Sequence, residues 1–263
     1  MTAPPPAQDR GYLTGQRRMI IARAIAGSLT AAVPVPFLDD RALTAVLGGG
    51  YRRIAAAYDI ALHPAAQLIL VHGPAQPPSL AEIAGGEVAY RIAGPAARWA
   101  MIAFAVVGRA QSASRTFVTL TLFHHYCARL HTGRVIDAAT ARALHQEIDR
   151  AIDQVPGGLE FHPFRRTALS AAGAARQPAR RLGDITALRA LGRAPFLRGR
   201  ATPTALTDAD QVVETELAHL RGLLSRIVAA VESQLSAEAN PFLDRAIDAL
   251  DRSWRVRVAA GIR

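Results

Sequence analysis

Lysine is missing from this chain altogether, so every one of its 31 basic side chains is arginine. Without lysine no Gly-Lys-Ser/Thr phosphate loop can exist. Each cation is instead a planar, permanently charged fork suited to phosphate or carboxylate. A GC-rich genome accounts for that bias and for the abundant Ala, Gly and Pro. Cysteine is nearly missing too. Cys127 stands alone, which excludes an intramolecular disulfide framework and fits a reducing compartment. Aromatic residues make up only 6%. Ala dominates the apolar residues, favouring close-packed helices over a sheet of β-branched side chains.

Long apolar runs are also absent. Residues 24–38 are free of charge but shorter than the ~20 residues a membrane span needs, and they contain Pro34 and Pro36. Residues 99–108 are shorter still. Either run can lie at an interface or form a buried core helix. The N-terminus has no continuous apolar stretch with a small-residue cleavage site, so no signal peptide is expected. Its proline-rich start reads as a disordered lead-in, residues 1–13.

What is present reads as helix. One helix is expected over 14–33, ended by Pro34, which removes a backbone donor and restricts the residue before it. A second starts near Phe37-Leu38-Asp39 and continues to Tyr58, with Asp39 and Asp40 at its positive end. Residues 64–72 are strand or helix by period alone. After a proline-rich loop, Ser79–Glu82 reads as a capping box. Helices are then expected over 96–109 and 114–131, the latter despite the strand propensity of FVTLTLF, and again from Asp137 until Pro156-Gly157-Gly158. A long amphipathic helix carries Val213, Leu217, Leu220, Leu224, Ile227 and Val231. Asn240-Pro241 breaks it before a last helix over 242–258. The fold expected is an all-α multi-helix bundle of Ala/Gly-rich, close-packed helices with a C-terminal helical hairpin. Its parts are a core (14–155), a basic connector (156–206) and the hairpin (207–263).

Chemistry is sparse. Leu68-Ile69-Leu70-Val71-His72-Gly73 looks like the strand and His-Gly turn of an α/β-hydrolase, but no G-x-S-x-G nucleophile elbow accompanies it. His124, Cys127 and His131 fall at i, i+3 and i+7, one face of a regular helix, and imidazole and thiolate are good zinc or iron ligands. No second ligand pair is visible, so no metal and no cofactor is expected, and His124→Ala should be mild if that side chain is exposed. An enzymatic site around His124, His131 and Glu147 has no further support. Gly48-Gly49-Gly50 lacks the companions of a nucleotide loop and marks a helix kink or close crossing, tied to Ala22, Ala26 and Thr30. The strongest electrostatic signal is nine arginines within 165–200 against one acid, Asp184. Arg165, Arg166, Arg180, Arg181, Arg189, Arg193, Arg198 and Arg200 are the candidate anionic-surface residues. Phe161, Phe164 and Phe196 interleave with them, but no nucleic-acid-binding module is recognisable.

The stretch A-G-S-L-T-A-A-V-P-V-P-F-L-D-D-R-A-L-T-A-V (26–46), then Tyr51-Arg52-Arg53-Ile54-Ala55 and Tyr58-Asp59, resembles the EcsC-type proteins. It is similar as well to the helical domain behind the GTPase domain of some bacterial Era-like GTPases. Asp59 stands where that pattern has glycine, and the GTPase part is absent. The resemblance implies an all-helical, membrane-associated bacterial protein, with Pro34, Pro36, Asp39 and Asp40 as structural hinge and cap. Together these signals suggest a non-enzymatic, cytoplasmic adaptor or scaffold peripheral to the inner membrane. Its partner would be anionic lipid or another acidic surface, with a protein partner possible through the C-terminal hairpin. The alternative is a nucleic-acid-associated protein using the stretch from Arg165 to Arg200.

Overall fold

Two helices of small side chains pack antiparallel at the start of the chain: α1 (Thr14–Thr30) and α2 (Leu38–Ala56). The computed structural model describes residues 10–30, 38–74, 111–155, 164, 223–237 and 241–261. Pro34, Pro36 and all eight candidate surface arginines from Arg165 to Arg200 lie outside these residues. The antiparallel register is read from the glycines. A Cβ on Gly27 would come within 2.9 Å of Leu47, and one on Gly50 within 2.9 Å of Arg23. Gly48 faces a different neighbour from the one the sequence suggests. A Cβ there would run into Gln67, 2.9 Å from its Cδ, so this glycine admits the next helix rather than α1. Close crossing is therefore the reason for the glycine-rich turn. Gly50 meets α1 at Arg23, and Gly48 meets α3 at Gln67.

That next helix is α3 (Pro64–His72), which resolves the strand-or-helix ambiguity. Pro64 sits at its first position, where its missing N–H costs nothing, and the His63 side chain accepts the amide of Ala65. Gly73, at φ 79°, closes the helix by donating its amide to the Ile69 carbonyl, 2.8 Å away. The His-Gly pair is thus a helix end and not the strand turn of a hydrolase.

A helix over residues 111–125, α4, runs through the centre, with every residue from Phe117 to Cys127 buried except Thr119. A helix buried all round shows no amphipathic period, so FVTLTLF keeps its strand propensity, and the helix expected there forms all the same. Strand preference spans only ~1 kcal/mol, whereas burying each of Phe117, Leu120, Leu122 and Phe123 stabilises by about 1.5–3 kcal/mol. The Thr121 hydroxyl is satisfied inside the helix, bonding the Phe117 carbonyl at 2.7 Å. Burial wins.

Helix α5 (Ala138–Asp153) begins at Asp137, whose side chain accepts the Thr140 amide at 2.8 Å. Short strands β1 (Ala61–Leu62) and β2 (Val135–Ile136) pair in parallel and tie the exits of α2 and α4 together. Helices α6 (Leu223–Ala237) and α7 (Pro241–Ala259) supply the C-terminal helical pair. α6 lies on α1 and α7 on α5. Val231, Ile247 and Leu250 join Ile20, Ile54, Phe123 and Ile148 in one apolar cluster. The fold among the described residues is all-α, in seven helices. None of the described helices is long and apolar enough to cross a membrane.

Candidate functional site, a histidine–tyrosine cluster at a π-turn

The end of α4 departs from a regular helix. The His131 amide bonds the Tyr126 carbonyl five residues back, at 2.9 Å, and Tyr126–Leu130 form a π-turn. Such turns are rare and recur at functional sites. The extra residue breaks the i, i+3, i+7 alignment that would place His124, Cys127 and His131 on one face. His131 has already left the helix, at φ −75° and ψ 130°.

Each histidine here meets a tyrosine hydroxyl. Tyr58 Oη lies 2.7 Å from His124 Nε2, Tyr12 Oη 2.5 Å from His125 Nδ1, and Tyr126 Oη 2.9 Å from His131 Nδ1. His125 is also held on its far side by Asp251 of α7, whose Oδ1 is 2.7 Å from Nε2. Asp251–His125–Tyr12 is therefore a continuous relay linking α7, α4 and the turn before α1. The guanidinium of Arg129 stacks over the Tyr12 ring, 4.8 Å from its centroid. Trp254 packs edge-on against Tyr126 with ring centres 4.8 Å apart.

Electrostatics fixes the protonation states. Burial, reinforced by the neighbouring His125, pushes His124 down to about 4, so its imidazole is neutral near pH 7. Burial also lowers His131, against a contribution from the Gly133 carbonyl. Burial raises Tyr12, Tyr58, Tyr126 and the Cys127 thiol, which all stay protonated. Burial alone would raise Asp251 as well. The His125 hydrogen bond and nearby cations outweigh it, and its carboxyl sits below the usual range.

Glu147 is almost wholly buried and is paired with arginines, not with the histidines the sequence sets beside it. Arg150 Nη1 reaches its two oxygens at 2.8 and 2.7 Å, and Arg257 Nε lies 3.1 Å from Oε1. Among the described residues no three His, Cys, Asp or Glu side chains are arranged to hold a metal ion. His124 is buried, so the condition for a mild His124→Ala does not hold. Asp39 and Asp40 are the second and third residues of α2, in its first turn. Sequence reading missed Tyr12, Tyr58, Tyr126, His125 and Asp251 as cluster members. Only the adjacency of His125 to His124 hinted at one of them.

Asp59 adopts φ 54°, the left-handed conformation that glycine takes without strain. Comparisons with protein families, with characterised proteins and with solved structures find no match for this chain.

Proposed function

We propose that this chain is a non-enzymatic helical adaptor or scaffold that sits on an anionic surface, at the cytoplasmic face of a bacterial membrane. The observation that carries the reading is the arginine tract, with nine cations and one acid over residues 165–200 in a chain of net charge +10. Near an anionic leaflet each such cation contributes about 1 kcal/mol of attraction. The histidine–tyrosine cluster supports the non-enzymatic half. Burial raises every tyrosine and thiol in the cluster, so each stays protonated near neutral pH, and the tyrosine hydroxyls serve as hydrogen-bonding groups. Its polar groups bond one another across α4, α7 and the N-terminal turn. That is the work of a framework. The C-terminal helices remain the candidate face for a protein partner.

The test is cosedimentation with vesicles rich in phosphatidylglycerol. Replacing Arg165, Arg166, Arg180 and Arg181 by Gln should weaken binding, and salt should weaken wild-type binding as the Debye length falls below ~10 Å. Excess duplex DNA should leave the protein on the vesicles. Stripping by DNA would favour the nucleic-acid reading, in which the same arginines meet backbone phosphates. Binding unaffected by the four substitutions would refute the role of the tract.

A further inference from the structure

The segment entering α1 is fastened to the far end of the chain by charge. Arg10 pairs with Asp244 and, at 2.7 Å, with Asp248, two carboxylates one turn apart on the exposed side of α7. Two residues on, the Tyr12 hydroxyl closes the relay through His125 to Asp251, a third acid on α7. Asp244, Asp248 and Asp251 thus form an acidic edge of α7 at i, i+4 and i+7 over which the turn Gly11–Leu13 is laid. The N-terminal side has the opposite charge. From Arg10 to Thr30 there is no acid, while Arg10, Arg17, Arg18 and Arg23 are cationic. The first turn of α1 carries no acid to offset its helix dipole. Among the described residues, Arg10 finds its counter-charge by reaching across to α7.

We infer that Arg10, at the head of the turn over residues 10–13, is an electrostatic strap, closed on the acidic edge of α7 in the free protein and opened when an anionic leaflet takes Arg10 in place of Asp244 and Asp248. Both acids are more than half exposed, so water and salt screen these pairs and Arg10 is held only modestly, while the Tyr12–His125 bond and the buried Leu13 keep the rest of the turn in place. A strap held that weakly is a switch, because a dense anionic surface offers Arg10, Arg17 and Arg18 many phosphates at once. By linkage, whatever raises the open fraction strengthens binding to that surface in proportion to that fraction. The trigger rests on the anionic-surface reading above; the strap itself does not.

The test uses the full chain. Hydrogen exchange is followed in the peptide spanning residues 10–16, which includes the Leu13 amide bonded to the Arg10 carbonyl. Wild type is compared with Asp244→Asn/Asp248→Asn and with a charge-matched control, Asp153→Asn/Asp208→Asn, at an exposed acid of α5 and an acid outside the described residues. The α7 variant should exchange about three- to tenfold faster than the control, the range expected for two exposed ion pairs. Equal exchange in the two variants refutes the strap. The same proteins are then titrated with phosphatidylglycerol vesicles. The α7 variant should bind more tightly than the control, and adding Arg10→Gln to both should abolish the difference. Faster exchange without tighter binding overturns the assigned trigger. If wild type binds no vesicles, the anionic-surface reading and the trigger fall together, while the exchange comparison still decides the strap.

Discussion

Acid should weaken this protein before most carboxylates begin to titrate, and His124 sets the effect. Its imidazole is buried with Nε2 against the Tyr58 hydroxyl, and it titrates near 4 in the folded chain instead of 6.5. Between these values the unfolded chain binds a proton that the folded chain refuses. The contribution of His124 is therefore complete above pH 6.5 and is lost as pH falls toward 4. At roughly 1.4 kcal/mol per pH unit the whole loss is about 3 kcal/mol, and about 2 kcal/mol of it falls between pH 6.5 and 5. His131, lowered in the same sense, adds to the slope. Asp251, held low by His125, adds its loss only below the ordinary carboxylate range. Urea unfolding followed by circular dichroism at half-unit steps from pH 7.5 to 5 measures the slope for wild type and His124→Gln. The variant should be less stable than wild type at pH 7, with the gap shrinking by about 2 kcal/mol at pH 5. A gap that stays constant with pH would show that His124 takes up its proton as readily folded as unfolded, and would refute the argument. An NMR titration of the His124 ring should place its midpoint near 4.

Two further outcomes test the helix crossings and the turn after α2. Gly48→Ala should destabilise by about 1–2 kcal/mol in thermal or urea unfolding, because the added methyl meets the buried Gln67 side chain and the overpacking exceeds the ~1 kcal/mol gained in helix propensity. A stabilised Gly48→Ala would show that α3 can move away freely. Asp59→Gly should leave the fold intact and raise stability by up to about 1 kcal/mol, since φ 54° strains any side chain. A loss in that variant would mean that the Asp59 carboxylate holds the turn through contacts worth more than the strain.

Local chemistry explains what the residues alone determined. Pro64 and Gly73 bracket α3, Asp137 caps α5, and Pro241 opens α7, because starts and stops are written in side chains that act within one turn. The Ala- and Gly-rich composition dictates close helix crossings, and Gly27, Gly48 and Gly50 are where they occur. The arginine bias and the single cysteine are matters of composition, and they fix the charge chemistry of the surface without any coordinates.

The tertiary structure decided which distant groups meet. Tyr12 and Asp251 lie at opposite ends of the chain, and nothing local in either says that both bond His125. His124, Cys127 and His131 share a face only on a regular helix, and the π-turn at Tyr126–Leu130 removes that alignment without a proline or glycine inside it to announce the change. Glu147 sits three residues from Arg150, a pair that helix spacing allows, but its burial depends on Arg257 arriving from α7. Periodicity records only which side of a helix is apolar. It is silent for α4, which is buried all round, and it carries no information about which polar groups a neighbouring helix will bring to meet its own. A lone histidine pair in the sequence becomes a linked set of tyrosines, histidines and an aspartate because packing holds together side chains that chain connectivity keeps far apart.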